Sequence, residues 1–198
     1  MTYKAKLITS ICAFFLVLAL LAAGVWAAKT INISIGGTVN FTATSVYCNV
    51  DGVIEGSKEG TQNLTQLHFE ADESESSTLT GSWTPNLNFV DEGDTMGQDI
   101  TMTITITNLA TRGLNVTLTN TSSSQDLGIE DQDVEITILY GTTAEDATTY
   151  TSGTTQTITA GTTSSHTTGV FVITFHLTTK NNPATLNYNF TVNLENAG

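Results

Sequence analysis

The feature of this sequence that most constrains its fold is a strict alternation of apolar residues with threonine. Residues 100–107 read Ile-Thr-Met-Thr-Ile-Thr-Ile-Thr, so Ile100, Met102, Ile104 and Ile106 would share one face of a β-strand and the threonines the other. Threonine supplies 39 of the 198 residues, and its β-branched side chain suits a pleated sheet. The pattern predicts an all-β protein.

Similar alternation recurs along the rest of the chain. It covers residues 31–35, 39–50, 64–69, 114–119, 134–139, 155–159, 170–177 and 186–194, with turn-forming residues between the segments. Eight to ten short strands predict an antiparallel β-sandwich of jelly-roll or immunoglobulin-like type. Residues 70–77 are predicted to form an exposed loop, and residues 142–168 long, flexible hairpin connections.

Residues 1–27 have the pattern of an export signal. Two lysines precede a long apolar stretch, and Val25 and Ala27 are the small residues expected before a cleavage site at Ala28. The alternative is an uncleaved membrane anchor, because about 20 apolar residues cross a bilayer core. Cleavage is the preferred interpretation, and it predicts a secreted or cell-surface protein with one domain over residues 28–198. The C-terminus has no apolar tail, so no C-terminal anchor is expected.

The predicted mature chain is strongly acidic. Four basic residues remain against 19 acidic ones, a net charge of 4 − 19 = −15. This charge argues against nucleic acid as a partner and leaves divalent cations as a plausible one. Candidate Ca²⁺ ligands lie in two acidic clusters, at Asp91, Asp94, Asp99, Asp131 and Asp133. Neither cluster has EF-hand spacing, and solvated acidic loops are the favoured alternative.

No catalytic motif is present in the sequence. His68, His166 and His176 are scattered, and no H-E-x-x-H, G-x-S-x-G or phosphate-binding loop occurs. Cys48 is the one cysteine outside the signal segment, so it cannot form an intrachain disulfide and is predicted to be a buried structural thiol. The sequence predicts a protein that is not an enzyme and that needs no cofactor. Ca²⁺ is the one candidate ligand that the acidic clusters leave open.

Three stretches of the chain resemble the TasA and camelysin family of secreted fibre proteins. They are Val-Asp-Glu-Gly-Asp at residues 90–94, the alternating residues 99–108 that end in Asn, and Leu-Asn-Val-Thr-Leu at residues 114–118. The signal sequence and the alternating residues 186–194 are also similar to their counterparts. The resemblance implies a jelly-roll subunit that polymerises into extracellular fibres, and a strand over residues 114–118 that pairs with the strand before it.

One segment suits polymerisation independently of that resemblance. Ile31, Ile33 and Ile35 alternate along residues 29–35, and Gly36 and Gly37 follow as a flexible pair. Such a segment could complete a sheet in the next subunit, with main-chain hydrogen bonds providing affinity and the isoleucines filling pockets. A head-to-tail contact of this kind builds filaments. The alternative is that residues 31–35 pair within their own sheet.

Two functions therefore remain open. The first is a structural subunit of an extracellular filament or biofilm matrix that self-associates through Ile31, Ile33 and Ile35. The second is a monomeric extracellular binding or adhesion module for a carbohydrate or a host surface. Sugar-binding sites usually present aromatic rings beside polar groups, and the candidate rings are Trp83, Tyr140 and Tyr150.

Overall fold

The structure is a computed structural model that describes residues 30–56, 60–70, 77–92, 99–122, 134–162, 165–177 and 185–198, with the backbone alone at residues 30–35, 60, 87–92, 134, 177, 185 and 186. These residues form thirteen strands and no helix, and so none that could span a membrane. The strands are β1 (Thr30–Thr44), β2 (Tyr47–Gly56), β3 (Gly60–Asn63), β4 (Leu67–Glu70), β5 (Thr78–Trp83), β6 (Asn86–Glu92), β7 (Asp99–Asn108), β8 (Leu114–Asn120), β9 (Val134–Gly141), β10 (Thr148–Thr149), β11 (Thr155–Ile158), β12 (Thr167–Leu177) and β13 (Thr185–Asn196). The predicted all-β class is confirmed.

The strands form two sheets. In sheet A the order is β11-β8-β13-β1-β5, and β6 pairs with the N-terminal part of β1. In sheet B the order is β10-β9-β12-β7-β2-β3, and β4 pairs with the beginning of β2. The described pairings are antiparallel except for β1 with β13, which is parallel.

The inward faces of the two sheets share one apolar core. In β7, Ile100, Met102, Ile104 and Ile106 are at most 1% exposed, and the threonines between them are half-buried. Strands β1, β8, β12 and β13 alternate in the same way and bury Val39, Phe41, Ala43, Val116, Leu118, Phe171, Ile173, Phe175, Tyr188, Phe190, Val192 and Leu194. The predicted inward face of β7 is confirmed, and the arrangement is that of a β-sandwich.

The prediction of one strand over residues 39–50 is wrong, because the chain crosses between the sheets within it. Ser45 has a positive φ of 54°, a backbone conformation that few side chains adopt, and its N–H donates to the Ser77 carbonyl at 3.1 Å. Strand β1 ends at Thr44 in sheet A, and β2 begins at Tyr47 in sheet B. The buried positions change from odd numbers before the corner, at Phe41 and Ala43, to even numbers after it, at Val46 and Cys48. This shift in the alternation was the sequence signal for the corner, and sequence analysis missed it.

Within residues 142–168, the predicted strand segment 155–159 corresponds to β11, whereas the described part of the predicted flexible connections is more ordered than expected. The region contains β10 and β11, and it buries Tyr150 and Ile158 in the core. The Tyr150 hydroxyl accepts a hydrogen bond from the Leu118 N–H at 2.9 Å and donates to the Thr154 carbonyl at 2.5 Å. The predicted loop over residues 70–77 begins in β4, and residues 71–76 lie outside the described residues.

The expectation that residues 114–118 pair with the preceding strand is also wrong. Strand β7 lies in sheet B between β12 and β2, whereas β8 lies in sheet A between β11 and β13. The 1% exposed Asn108 holds the connection between them. Its amide donates to the carbonyls of Arg112 at 2.8 Å and Thr159 at 3.1 Å, and its oxygen accepts from the Ala110 N–H at 3.0 Å. These bonds turn the chain from one sheet to the other.

Candidate functional site

The N-terminal half of β1 has a pairing partner of its own. Residues 30–36, which we call the donor segment, pair antiparallel with β6, from Thr30 opposite Glu92 to Gly36 opposite Asn86. From Ser34 onward the strand also pairs with β13. The backbone of Ile31, Ile33 and Ile35 is therefore paired within sheet A of the same chain, and their side chains lie outside the described residues.

The C-terminal half of β1, residues 39–44, is paired and buried separately. It lies between β5 and β13, and Val39, Phe41 and Ala43 are at most 1% exposed. On the side away from β13, β5 ends at Trp83 and β6 begins only at Asn86, because Pro85 has no N–H to donate to a ladder. The two halves of β1 thus pair with two separate short strands on that side. Pro85 between two alternating segments was the sequence signal for this break, and sequence analysis missed it.

Gly36 and Gly37 join the two halves, and they are extended residues of β1. A Cβ atom at Gly37 would lie 2.2 Å from the Tyr188 carbonyl oxygen and 2.6 Å from the Tyr188 ring, so only glycine allows β1 and β13 to approach this closely. A Cβ atom at Gly36 would meet nothing nearer than the Asn86 amide at 3.6 Å. The junction is therefore tight at one glycine and open at the other.

The pairing in the second half of the chain is nested. Strand β9 pairs with β10, β8 with β11, and β7 with β12, all antiparallel. The next pair outward in this series would join β6 to β13. Strand β1 lies at that place instead, antiparallel to β6 and parallel to β13. Strand β1 is thus inserted into the nested series.

The candidate Ca²⁺ ligands are only partly described. Asp94, Asp131 and Asp133 lie outside the described residues, and of Asp91 the backbone alone is described, in β6. The Asp99 carboxylate lies 2.5 Å from Nδ1 of His176, which stands opposite it in β12. Within the described part of the chain, no group of three or more His, Cys, Asp or Glu side chains is arranged to hold a metal ion. The Asp99–His176 pair spans 77 positions, and no spacing in the sequence indicated it.

The three candidate sugar-binding rings do not form an exposed platform. Trp83 is 7% exposed and Tyr150 6% exposed, and both belong to the core. Tyr140 is partly buried and packs against Tyr150 and Phe171, with ring centroids 6.4 and 4.9 Å away. These rings contribute to the interior of the sandwich.

The prediction that Cys48 is buried is confirmed. Its side chain is fully buried in the core, and burial raises the pKa of the Cys48 thiol to about 12. The thiolate is the reactive form of cysteine, so the folded protein holds this group in an unreactive state at neutral pH.

The outward faces of the two sheets differ in charge. On sheet B the exposed or half-buried Asp51, Glu55, Glu70, Asp99 and Glu135 supply five carboxylates. On sheet A the described outward side chains of β1, β5, β8, β11 and β13 are those of Thr, Asn and Ser, with Glu195 as the one charged group among them. Along these strands they alternate with the core residues.

No protein-family model matches this chain, and no curated protein is significantly similar to it.

Proposed function

We propose that this protein is a secreted structural subunit of an extracellular filament or biofilm matrix, and that it polymerises by donating residues 30–36 to the next subunit. Within the β-sandwich class we propose a jelly roll. The nested pairs β7·β12, β8·β11 and β9·β10 support this type, because a long hairpin rolled into two sheets pairs its strands in that order.

The observation that carries the proposal is the place of β1 within that series. Strand β1 lies between β6 and β13, and its parallel pairing with β13 is the exception among the described pairings. A segment inserted in this way can equally come from another copy, because the same backbone groups of β6 would then pair with the same residues of a neighbour. Such an exchange needs little net free energy, since it replaces contacts with identical ones.

The two halves of β1 make a partial exchange possible. Residues 30–36 can leave β6 without breaking the pairing of residues 39–44 with β5 and β13, which holds Phe41 in the core. The subunit that has donated its segment therefore keeps its buried core and regains a strand from the preceding subunit. Because donor and acceptor are different surfaces, the contact does not close and a filament grows.

A pair of cysteines tests the donation directly. Ser34 in β1 and Asn88 in β6 are opposite each other in the register, so Ser34→Cys/Asn88→Cys places two thiols across this pairing. Oxidation before assembly should lock the segment within its own chain and prevent filaments. Oxidation after assembly should link neighbouring subunits and give a ladder on a non-reducing gel. Filaments that yield only cross-linked monomers would show that another contact builds them.

A charge in the donor segment provides a second test. Ile33→Lys should abolish filaments seen by electron microscopy of the chain beginning at Ala28, while the monomer stays folded. The control Asn63→Lys adds the same charge at an exposed residue of β3 and should leave assembly intact. Loss of the fold in Ile33→Lys would instead favour an internal strand. The same micrographs with and without Ca²⁺ test whether the acidic clusters affect assembly.

The monomeric binding module is the second candidate, and one observation favours it. An open depression of about 300 Å³ lies on the outward face of sheet B, lined by Asp51, Val53, Asn63, Leu64 and Thr105 among others. Gln66 donates to both Asp51 carboxylate oxygens at 3.0 Å, which fixes one polar group in it. Saturable binding of an oligosaccharide that Asp51→Asn weakens at least ~10-fold would support this function.

A further inference from the structure

The outward side of sheet A is an ordered, nearly uncharged surface, which we call the neutral face. Its side chains lie in three rows across the strands. The rows are Thr157, Asn115, Glu195, Thr44 and Thr78; Thr155, Thr117, Asn193, Thr42 and Thr80; and Thr119, Thr191, Asn40 and Ser82. Glu195 lies in an outer row, so the central row has no charge.

Charge favours a second copy of this chain as the occupant of the neutral face. The full sequence carries a net charge of −13, so two copies repel each other wherever acidic surfaces meet. At physiological salt this repulsion is screened beyond about 8 Å, and it therefore acts mainly on groups in direct contact. The neutral face is the described surface on which two copies can approach with few carboxylates between them.

The hydrogen-bonding groups of the neutral face can pair with themselves. A threonine hydroxyl and an asparagine amide both donate and accept, whereas the ionised carboxylates of the sheet B face only accept. A two-fold contact places the same patch on both partners, so each donor can meet an acceptor. The five carboxylates on the outward face of sheet B cannot satisfy one another in this way.

Lateral hydrogen bonds hold several of these side chains in place. The Thr117 and Thr155 hydroxyls are 2.8 Å apart, those of Thr44 and Thr78 are 3.2 Å apart, and the Thr157 hydroxyl donates to the Asn115 amide oxygen at 2.8 Å. Their rotamers are thus already restricted, which lowers the entropy lost when a surface docks.

The size of the face sets the strength of the contact. Five strands about 4.8 Å apart and three rows of side chains give roughly 400 Å² per copy, or about 800 Å² in total, which is below the ~1,000 Å² that a stable specific interface buries. One such contact is therefore weak. Many such contacts in register along two filaments would bind more tightly together than singly, because each contact that forms raises the effective concentration for the next.

We propose that the neutral face pairs two copies of this chain about a two-fold axis and, on the assumption that the proposed filament forms, joins filaments side by side. Two twisted sheets commonly pack face to face at about 10 Å with an angle near −30°, and this geometry suits the contact. A neutral polysaccharide is the less favoured occupant, because the three rows contain no aromatic ring on which a sugar could stack.

The test uses a charge at the centre of the face. Asn193→Asp changes an amide to a carboxylate of the same shape. In a two-fold contact each partner contributes one such carboxylate, so two negative charges enter the interface. The control Thr137→Asp adds a carboxylate at an exposed residue of β9 on the outward face of sheet B. Thr80→Asp, at an exposed position of the central row, is a second variant that disturbs the core least. Circular dichroism establishes that each variant is folded.

Pairing is measured on the mature full-length chain by sedimentation velocity and by counting paired and single filaments in micrographs. We expect Asn193→Asp and Thr80→Asp to weaken pairing at least ~10-fold in low salt, to recover part of it in 0.5 M salt through screening, and to keep single filaments. Thr137→Asp should pair as the unchanged protein does. If no filament forms, the proposed function fails, and sedimentation of the folded chain still decides the pairing.

Three outcomes would overturn the pairing. They are equal pairing in Asn193→Asp and the unchanged chain, equal weakening by Thr137→Asp, and an unchanged chain that never pairs at any concentration. In the last case, retention on an insoluble neutral polysaccharide that is lost in Asn193→Asp would assign the face to a sugar polymer instead.

Discussion

The two halves of β1 belong to one continuous strand, yet the structure holds them in different ways. Residues 39–44 lie between β5 and β13 and bury Val39, Phe41 and Ala43 in the core. Residues 30–36 pair along their whole length with β6, and they meet β13 only from Ser34 onward. The comparison shows that one strand can contain both a core element and a segment with a pairing partner of its own, provided that the partner on one side is interrupted.

The largest expected effect comes from Phe41 in the C-terminal half. Phe41→Ala removes a side chain that is 1% exposed and leaves a cavity, so it should lower the free energy of unfolding by about 3–5 kcal/mol. Urea unfolding followed by circular dichroism measures this change. The adjacent Asn40 is exposed, and Asn40→Ala should stay within about 0.5 kcal/mol. Similar losses in both variants would contradict the assignment of residues 39–44 to the core.

Alkylation of Cys48 distinguishes opening of the core from detachment of the donor segment. The thiol is buried, and its pKa of about 12 keeps it protonated at pH 8, so labelling should require unfolding. Phe41→Ala should accelerate labelling by ~100-fold or more, in line with its loss of stability. Ile33→Lys should leave the rate unchanged, because residues 30–36 can detach without opening the core. Equal acceleration in both variants would mean that the two halves unfold together.

The same thiol predicts the direction of a pH effect. Folding raises the pKa of Cys48 from its usual 9.0 to about 12, so the folded state retains a proton that the unfolded chain loses. The contribution of the protonated Cys48 thiol to the free energy of unfolding is complete below pH 9 and decreases as the pH rises from 9 towards 12. In Cys48→Ala this alkaline decrease should be smaller when midpoints of urea unfolding are compared between pH 8 and pH 10.

Substitution of the two glycines at the junction should have unequal effects. Gly37→Ala forces a Cβ atom to within 2.2 Å of the Tyr188 carbonyl oxygen, so β1 and β13 must separate, at a cost of about 1–3 kcal/mol. Gly36→Ala meets only ordinary contacts at 3.6 Å and should be neutral or slightly stabilising. Thermal unfolding of the two variants gives the comparison. A larger loss in Gly36→Ala would show that the junction is tight at the other residue.

Amide hydrogen exchange measures the smallest expected difference. Amides of residues 30–36 should exchange at least ~10-fold faster than those of residues 39–44, because the described core side chains of β1 all lie in residues 39–44. Mass spectrometry of peptides from the two halves gives the rates. Equal protection would indicate one cooperative unit, and donation would then need the whole of β1 to leave.

Much of the fold followed from local pattern. Alternation placed Ile100, Met102, Ile104 and Ile106 on the buried face of β7, since a strand points successive side chains to opposite faces. Burial of Cys48 followed from the same rule. Strands β3 and β5 were missed because their short segments contain Gly or Ser, and β6 and β10 were missed although they contain neither. Pairing with β1, β2 and β9 is what makes these segments strands.

The candidate site was less predictable than the fold. The sequence indicated Ile31, Ile33 and Ile35 as a β segment followed by two glycines, but nothing in it identified β6 as their partner. The contact between Asp99 and His176 depends on the register of β7 with β12, which joins residues 77 positions apart. The neutral face likewise requires five strands in one sheet, and their order is set by long-range pairing.

The sequence by itself determined that this chain forms strands with one apolar and one polar face, because that information lies in the period of two along each segment. Only the tertiary structure decided which strands share a sheet and that β1 lies between β6 and β13. The physical reason is that backbone hydrogen bonds between strands are the same for every side chain. The choice of partner therefore depends on how all the apolar faces are buried together, and not on any one segment.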